Sequence, residues 1–149
     1  MGGFPSFRKN GYIFVSKRNI DKREIGAEGF VAVNPITLYD YINNDIHVEY
    51  YGEDKPSVDT PVQLALYAIY PNIKWIIHSH AYIDGAPFTE RSVPCGATQE
   101  IKEILAIEKS TSAKRWRINL KGHGSLVGAD KIEHVKNIPY LAREFPEHV

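Results

Sequence analysis

Short apolar runs alternate with polar stretches along most of this chain, a pattern typical of strands and helices packed in layers. Residues 12–15 and 30–33 are rich in aromatic and β-branched side chains and predict two early strands. Residues 45–51 alternate weakly between apolar and polar positions, which predicts a further strand. Residues 73–78 form an apolar run that enters a polar loop, as expected for a buried strand with chemistry at its end.

Helical spacing is clearest after residue 60. Pro61 suits the first turn of a helix, and Thr60 or Asp59 is expected to cap its free amides. Apolar side chains follow at helical spacing up to residue 70. Residues 98–108 predict a second amphipathic helix, with its first residue as the cap.

The last third of the chain predicts more strands and a closing helix. Residues 115–120 alternate, and residues 125–127 extend the strand pattern beyond a glycine-rich interruption. A helix is expected over 130–145, kinked or divided at Pro139. Because strands and helices interleave without a linker, the chain predicts one α/β layered domain over residues 1–149. The strand directions stay open, since short connections allow antiparallel pairs as well as crossovers.

Composition removes several functional classes. The 149 residues carry 18 Lys+Arg and 18 Asp+Glu, so no overall charge is available to hold nucleic acid or an anionic membrane. The single cysteine, Cys95, excludes an intramolecular disulfide and a multi-thiolate zinc site. No apolar stretch is long enough to cross a bilayer, and the first residues do not resemble a secretory signal. We therefore expect a cytoplasmic protein with neither a nucleic-acid nor a membrane partner.

Histidines supply the most specific chemical signal. His78 and His80 flank Ser79 at the end of the predicted 73–78 strand, so both imidazoles project from one face and can chelate one ion. A third ligand must complete such a site, and His123, between Gly122 and Gly124, is the natural candidate. The alternatives are that the pair only ends a strand and that His123 is a turn residue.

Asp59 lies just before the helix that leads back into the histidine strand. This order can bring its carboxylate near the metal for acid/base work. The alternative is a purely structural N-cap, favoured by the helix dipole.

Five segments together resemble the class II aldolase/adducin family. They are Gly2-Gly3-Phe4-Pro5-Ser6-Phe7-Arg8, Lys55-Pro56-Ser57-Val58-Asp59, Tyr70-Pro71, His78-Ser79-His80 and Gly122-His123-Gly124-Ser125-Leu126-Val127-Gly128. They occur in the family's order and cover most of the chain.

The resemblance implies a fold, a cofactor and a reaction. The fold is a three-layer α/β/α domain with a mostly antiparallel sheet, assembled into a ring of four subunits with active sites at the contacts. His78, His80 and His123 would hold Zn²⁺ or another divalent transition metal. The expected activity is an aldolase that acts on a ketose or ketose phosphate through a metal-stabilised enediolate. Epimerases and dehydratases of the same family share this chemistry.

The resemblance also assigns proton transfer. The family's carboxylate, usually a glutamate, falls on Asp59, whose side chain is shorter by about 1.5 Å. Tyr82, Asp84 and Glu90 are reserve candidates, with solvated loop positions as their alternative. Tyr140 is a candidate proton donor because relatives borrow a tyrosine from the neighbouring subunit; its alternative role is packing.

Substrate contacts are expected from a partly altered phosphate-binding pattern. Ser6 and Ser57 remain from the family's pattern, whereas Phe4 and Val58 depart from it. The basic turn that contains Lys17 can supply cationic contacts to a phosphate or carboxylate instead. The alternative is an exposed basic turn without a ligand.

Two other functional classes remain open. The chain could be a non-enzymatic assembly module, as in the adducin branch of the family; the changes at Phe4, Val58 and Asp59 favour this, and the three histidines oppose it. It could also be a zinc hydrolase that uses metal-bound water, since three histidines with one open position suit that chemistry.

Overall fold

A six-stranded antiparallel sheet organises the chain, and its strand order is β3-β2-β1-β4-β7-β6. The computed structural model describes residues 4–18, 29–35, 47–94 and 96–144. The strands of this sheet are β1 (Phe4–Lys9), β2 (Tyr12–Ser16), β3 (Phe30–Val33), β4 (Trp75–Ser79), β6 (Arg115–Leu120) and β7 (Gly124–Ala129). A separate two-stranded ribbon pairs β5 (Ala81–Ile83) with β8 (Tyr140–Glu144). Within the described ranges, the helices are α1 (Thr60–Ile69) and α2 (Gln99–Ile107), and a 3-10 turn spans Ile132–Val135.

Both helices pack on one face of the six-stranded sheet. Residues directly opposite each other on antiparallel strands share a face, so His78, its partner Leu126 and the next partner Ile118 point the same way. Ile118 and Leu126 belong to one buried cluster with side chains of α1 and α2. The opposite face carries Arg117 with its partner Val127, and there β5 contacts β6 and β7. The sheet therefore separates a helical layer from the β5–β8 ribbon.

This architecture confirms the α/β class and the mostly antiparallel sheet. The early strands, both helices and the two strands around the glycine-rich interruption lie where the sequence predicts them, within one or two residues. The prediction of side-chain capping is wrong. Asp59 and Thr98 occupy the N-cap positions, but neither side chain makes a capping hydrogen bond. The hydroxyl of Thr60 instead donates to the carbonyl of Ser57 at 2.6 Å. Among the described residues, no helix is long and apolar enough to span a bilayer.

The helix expected over 130–145 is wrong. The described part of this segment forms the 3-10 turn, then an extended connection, then β8. Asn137 adopts a left-handed conformation with φ of 55°, and Pro139 cannot donate an amide to a helix. Pairing of Tyr140 with Ile83 then gives the segment its backbone hydrogen-bonding partner. Backbone breakers and an available partner strand therefore prevent the expected helix.

The strand expected over 45–51 is also not formed as predicted. Residues 45 and 46 lie outside the described part of the chain, as do Gly2, Gly3 and Phe145. From residue 47 onward the backbone follows the edge of β3, with an isolated bridge between Val33 and Tyr50. The Tyr51 amide donates to the Ala32 carbonyl at 3.0 Å, so the segment covers part of an edge without becoming a regular strand.

Gly128 provides a test of the helix-side packing. A Cβ atom at this position would lie 2.5 Å from Cζ2 and 2.6 Å from Cε2 of Trp116, a side chain that is only 6% exposed and packs against Tyr70. We expect Gly128→Ala to lower the free energy of unfolding by about 1–3 kcal/mol, because the indole must move in a filled core. Urea unfolding measures the loss, and near-ultraviolet circular dichroism should report a changed indole environment. An unchanged unfolding midpoint would contradict this packing.

Candidate metal centre

Three histidines meet where β4 ends and β7 begins, at one end of these two neighbouring strands. His78 lies in β4, His80 follows that strand, and His123 immediately precedes β7. One potential ligand atom of each residue lies within 4.8 Å of the others. The ring centroid of His78 is 4.5 Å from that of His123 and 5.2 Å from that of His80. The predicted ligand set is therefore assembled in space, although its members are up to 45 positions apart in the chain.

Two glycines bring His123 to this position. Gly122 and Gly124 have φ angles of 73° and 136°, which side chains of L-residues rarely adopt. A Cβ atom on Gly124 would lie 2.0 Å from the carbonyl oxygen of Ser79 and 2.8 Å from the Cα atom of His80. The start of β7 can approach the end of β4 only because position 124 has no side chain.

The His78 ring is buried and oriented by the backbone. Its Nδ1 donates to the carbonyl oxygen of Ser125 at 3.0 Å, which places the lone pair of the neutral ring on Nε2. Burial lowers the pKa of His78 to about 4, opposed by the nearby charge of Asp59. The ring is therefore neutral at neutral pH, the form in which imidazole binds metals.

Glu100 of α2 orients His123, and the sequence analysis missed it. Its Oε2 lies 3.1 Å from Nδ1 of His123, and both side chains are about 5% exposed. A recognisable signal exists in the sequence: Glu100 is a charged residue four positions before the buried Ile104, on the apolar side of the predicted helix.

Asp59 lies beside the histidines, as predicted. Its Oδ2 is 4.0 Å from Nε2 of His78, and its side chain is 11% exposed. The Ser57 hydroxyl donates to Oδ1 at 3.1 Å, and the Gln63 side-chain amide donates to Oδ2 at 3.1 Å. Gln63 was also missed; it is another buried polar residue within an apolar helix. These two donors hold the carboxylate toward the histidines instead of toward the amides of its own helix.

The donor set fits a divalent transition metal. Imidazole nitrogens are preferred ligands of zinc, and two imidazoles that share one zinc ion hold their nitrogens roughly 3.3 Å apart. The candidate ligand atoms of the three histidines lie within 4.8 Å of one another, close to that spacing. Asp59 and Glu100 add two buried carboxylates, whose charge complements a divalent cation.

A surface cleft of about 300 Å³ adjoins Ser57 at the start of α1. Arg18 and Lys55 line it, and their backbones are joined by a 2.8 Å hydrogen bond. Lys17, the predicted cationic contact, forms a 3.0 Å ion pair with Asp54 instead of lining this cleft. Two other basic residues therefore line the cleft that Ser57 lines, and substrate contact by Lys17 stays a prediction.

Ser6 and Tyr140, two further predicted site residues, are not part of the histidine cluster. Ser6 is fully buried in β1, and its hydroxyl is 2.9 Å from the hydroxyl of Tyr67. Tyr140 is near Arg117, on the face of the sheet opposite His78, and partial burial raises its pKa. Within one chain, Tyr140 is therefore separated from the metal centre by the sheet.

The reserve candidates divide into two groups. The Tyr82 hydroxyl accepts a 2.9 Å hydrogen bond from the amide of Gly122, which supports the turn that carries His123. Asp84 and Glu90 are exposed loop residues. Their proton-transfer roles stay untested.

Comparison with known proteins identifies relatives of this fold. Residues 1–144 match the family described as "Class II Aldolase and Adducin N-terminal domain". Comparison with curated protein sequences finds no significant match.

Solved structures resemble most of the chain at low sequence identity. An L-fuculose 1-phosphate aldolase is 20% identical with a TM-score of 0.64, over 89% of this chain and 67% of that one. YgbL from Escherichia coli is 16% identical with a TM-score of 0.62, over 95% of this chain and 83% of that one. YgbL from Klebsiella pneumoniae is 18% identical with a TM-score of 0.59, over 91% and 72% respectively. At these identities the likeness concerns the fold.

Gly124→Ala tests whether close approach of the two strands builds the centre. We expect this variant to lose more unfolding free energy than Gly52→Ala, and to lose the histidine arrangement, because its Cβ would overlap the Ser79 carbonyl. Gly52 is the matched control: its φ is 95°, yet a Cβ there meets nothing within 4 Å. The control should lose only the cost of a left-handed side chain, about 1–2 kcal/mol. Denaturant unfolding and cobalt titration measure both effects, and equal losses would contradict the interpretation.

Proposed function

The chain belongs to the class II aldolase and adducin family, and from this premise we propose that it is a metal-dependent lyase that cleaves a ketose or ketose phosphate. The observation that carries the proposal is the meeting of His78, His80 and His123, with the Asp59 carboxylate 4.0 Å from His78. Three imidazole donors and an adjacent carboxylate suit chemistry that needs both charge stabilisation and proton transfer.

We propose that the three histidines hold Zn²⁺ or a similar divalent transition metal. The bound ion would supply a Lewis acid that stabilises negative charge developing on the substrate oxygens. Ser125 and Glu100 contribute by holding the His78 and His123 rings through their Nδ1 atoms. Neither ring then has to reorganise when charge develops, which is the advantage of a prearranged site.

Asp59 is proposed to move the proton. A carboxylate can accept a substrate hydroxyl proton at one oxygen and return it to carbon after the bond breaks. Ser57 and Gln63 occupy one hydrogen-bonding direction on each oxygen, so the carboxylate keeps its orientation through the cycle. This arrangement offsets the shorter reach of aspartate, because α1 places the group directly beside His78.

The cleft beside Ser57 is proposed to bind the anionic end of the substrate. Ser57 connects the two regions, since it lines the cleft and donates to Asp59. Arg18 and Lys55 offer positive charge there, and a guanidinium suits phosphate or carboxylate oxygens. A negatively charged ketose would thus extend from the cleft toward the histidines.

We propose that the chain forms a homo-oligomer, in keeping with a tetramer. Since the sheet lies between Tyr140 and the histidines of its own chain, this residue can serve as a proton donor only at another subunit's site. Epimerisation and dehydration remain alternative outcomes of the same charge-stabilising centre, and a non-catalytic assembly module remains the alternative without turnover.

Metal content and turnover test the proposal together. We expect about one metal per chain in protein produced with zinc, manganese, cobalt and iron available, and cleavage of at least one member of a panel of free and phosphorylated ketoses. His80→Ala should remove both properties, because it deletes one of three ligands. The matched control is His47→Ala, which alters an exposed histidine outside the cluster.

The outcomes separate the alternatives. A folded wild-type protein without stoichiometric metal would disprove the metal-dependent reaction. Metal binding without turnover of any substrate would favour the assembly module. Analysis of products distinguishes cleavage from epimerisation and dehydration.

Arg18→Ala tests the cleft. With a phosphorylated ketose that the wild-type protein converts, we expect the KM to rise about tenfold and kcat to change little, because a charge-assisted contact is lost away from the reacting bond. The KM for the unphosphorylated analogue should stay unchanged. Lys74→Ala removes an exposed cation elsewhere and serves as the control. An equal change in KM for both substrates would show that Arg18 does not bind the phosphate group.

A further inference from the structure

Glu100 is the residue at the metal centre whose burial is hardest to explain by packing alone. A carboxylate is costly to bury without a polar partner, yet this side chain is only 5% exposed. Its helix places Ile101 and Ile104 in the core, so the first turn of α2 is held firmly against the sheet. The carboxylate reaches from this turn to Nδ1 of His123 at 3.1 Å. The contact therefore joins a rigid helix to a ligand that sits on a turn.

The chemistry of the two groups determines which ring nitrogen is the metal donor. An ionised carboxylate can only accept hydrogen bonds, so the ring proton of a neutral His123 belongs on Nδ1. The lone pair is then on Nε2. With the opposite tautomer, the Glu100 oxygen would face a second lone pair, and that contact would be repulsive.

The Nδ1 atoms of His78 and His123 are held by different kinds of hydrogen-bond acceptor. The Nδ1 of His78 donates to a backbone carbonyl, that of Ser125, whereas the Nδ1 of His123 faces a charged side chain. An imidazole that is hydrogen-bonded to a carboxylate is a stronger metal ligand than one that is hydrogen-bonded to a neutral carbonyl. Glu100 also adds a second buried carboxylate to the centre, in addition to Asp59, and this favours binding of a divalent cation.

We propose that Glu100 is a positioning residue for the metal: through its hydrogen bond to Nδ1, it makes Nε2 of His123 a ligand and raises the affinity of the centre for a divalent cation. This inference rests on the proposed metal-dependent function. Glu100 itself contacts the ring of His123 and acts only through it.

The proposal is tested by zinc affinity, measured by competition with a chromophoric chelator. Glu100→Ala should weaken zinc binding by about 10–100-fold, the usual effect of losing such a partner. Glu100→Gln should weaken it less, because the amide oxygen still accepts the Nδ1 hydrogen bond. Glu103→Gln is the matched control, since it makes the same change on the same helix at a residue that contacts the Arg91 amide instead. Thermal unfolding of the metal-free variants separates a loss of affinity from a loss of folding.

A second measurement uses the wild-type protein and does not depend on any variant. In metal-free protein at neutral pH, nitrogen-15 spectra of the imidazoles should show the His123 proton on Nδ1. A proton on Nε2, wild-type zinc affinity in Glu100→Ala, or equal losses in the Ala and Gln variants would overturn the proposal. If the wild-type protein binds no metal, the proposed function fails, while the tautomer still reports whether Glu100 orients the ring.

Discussion

The contact of the β7 start with the β4 end is the constraint on which the candidate site depends. Strand pairing sets the register, with Ser79 opposite Ser125, and Gly124 lets the backbones approach closely just beyond it. This approach brings His123 beside His78 and His80. The same register puts the Ser125 carbonyl within reach of the His78 ring. One backbone contact thus gathers the ligands and orients one of them.

Polar residues of α1 and α2, which pack on the sheet face that carries His78, complete the site. α1 provides Asp59 at its N-terminal end and Gln63 one turn later, and α2 provides Glu100. Each is buried, and each is hydrogen-bonded to a group of the centre or to its neighbour. Uncompensated buried charge is destabilising, so packing alone does not explain why these polar side chains are buried together. Groups of buried ionisable residues are typical of functional sites. The helical layer therefore does more than cover the sheet.

The sequence predicted much of the fold from local pattern alone. Runs of aromatic and β-branched residues located β2 and β3, alternation located β6, and apolar residues at helical spacing located α1 and α2. The prediction failed at 130–145, where a helix was expected; Asn137 and Pro139 interrupt a helix there, and β5 offers a strand to pair with. Whether a segment pairs with a distant strand depends on the rest of the fold, and local spacing does not contain that information.

The sequence by itself determined the chemistry available here: His78, His80 and His123 as imidazole donors, glycines around the last of them, and Asp59 as the nearest candidate base. Only the tertiary structure decided which groups act on these residues. Glu100 and Gln63 reach the centre because separate helices pack on one sheet face, and Tyr140 is kept from it because the sheet lies between them. Residue type is a local property, whereas proximity between residues far apart in the chain is set by strand register and helix packing.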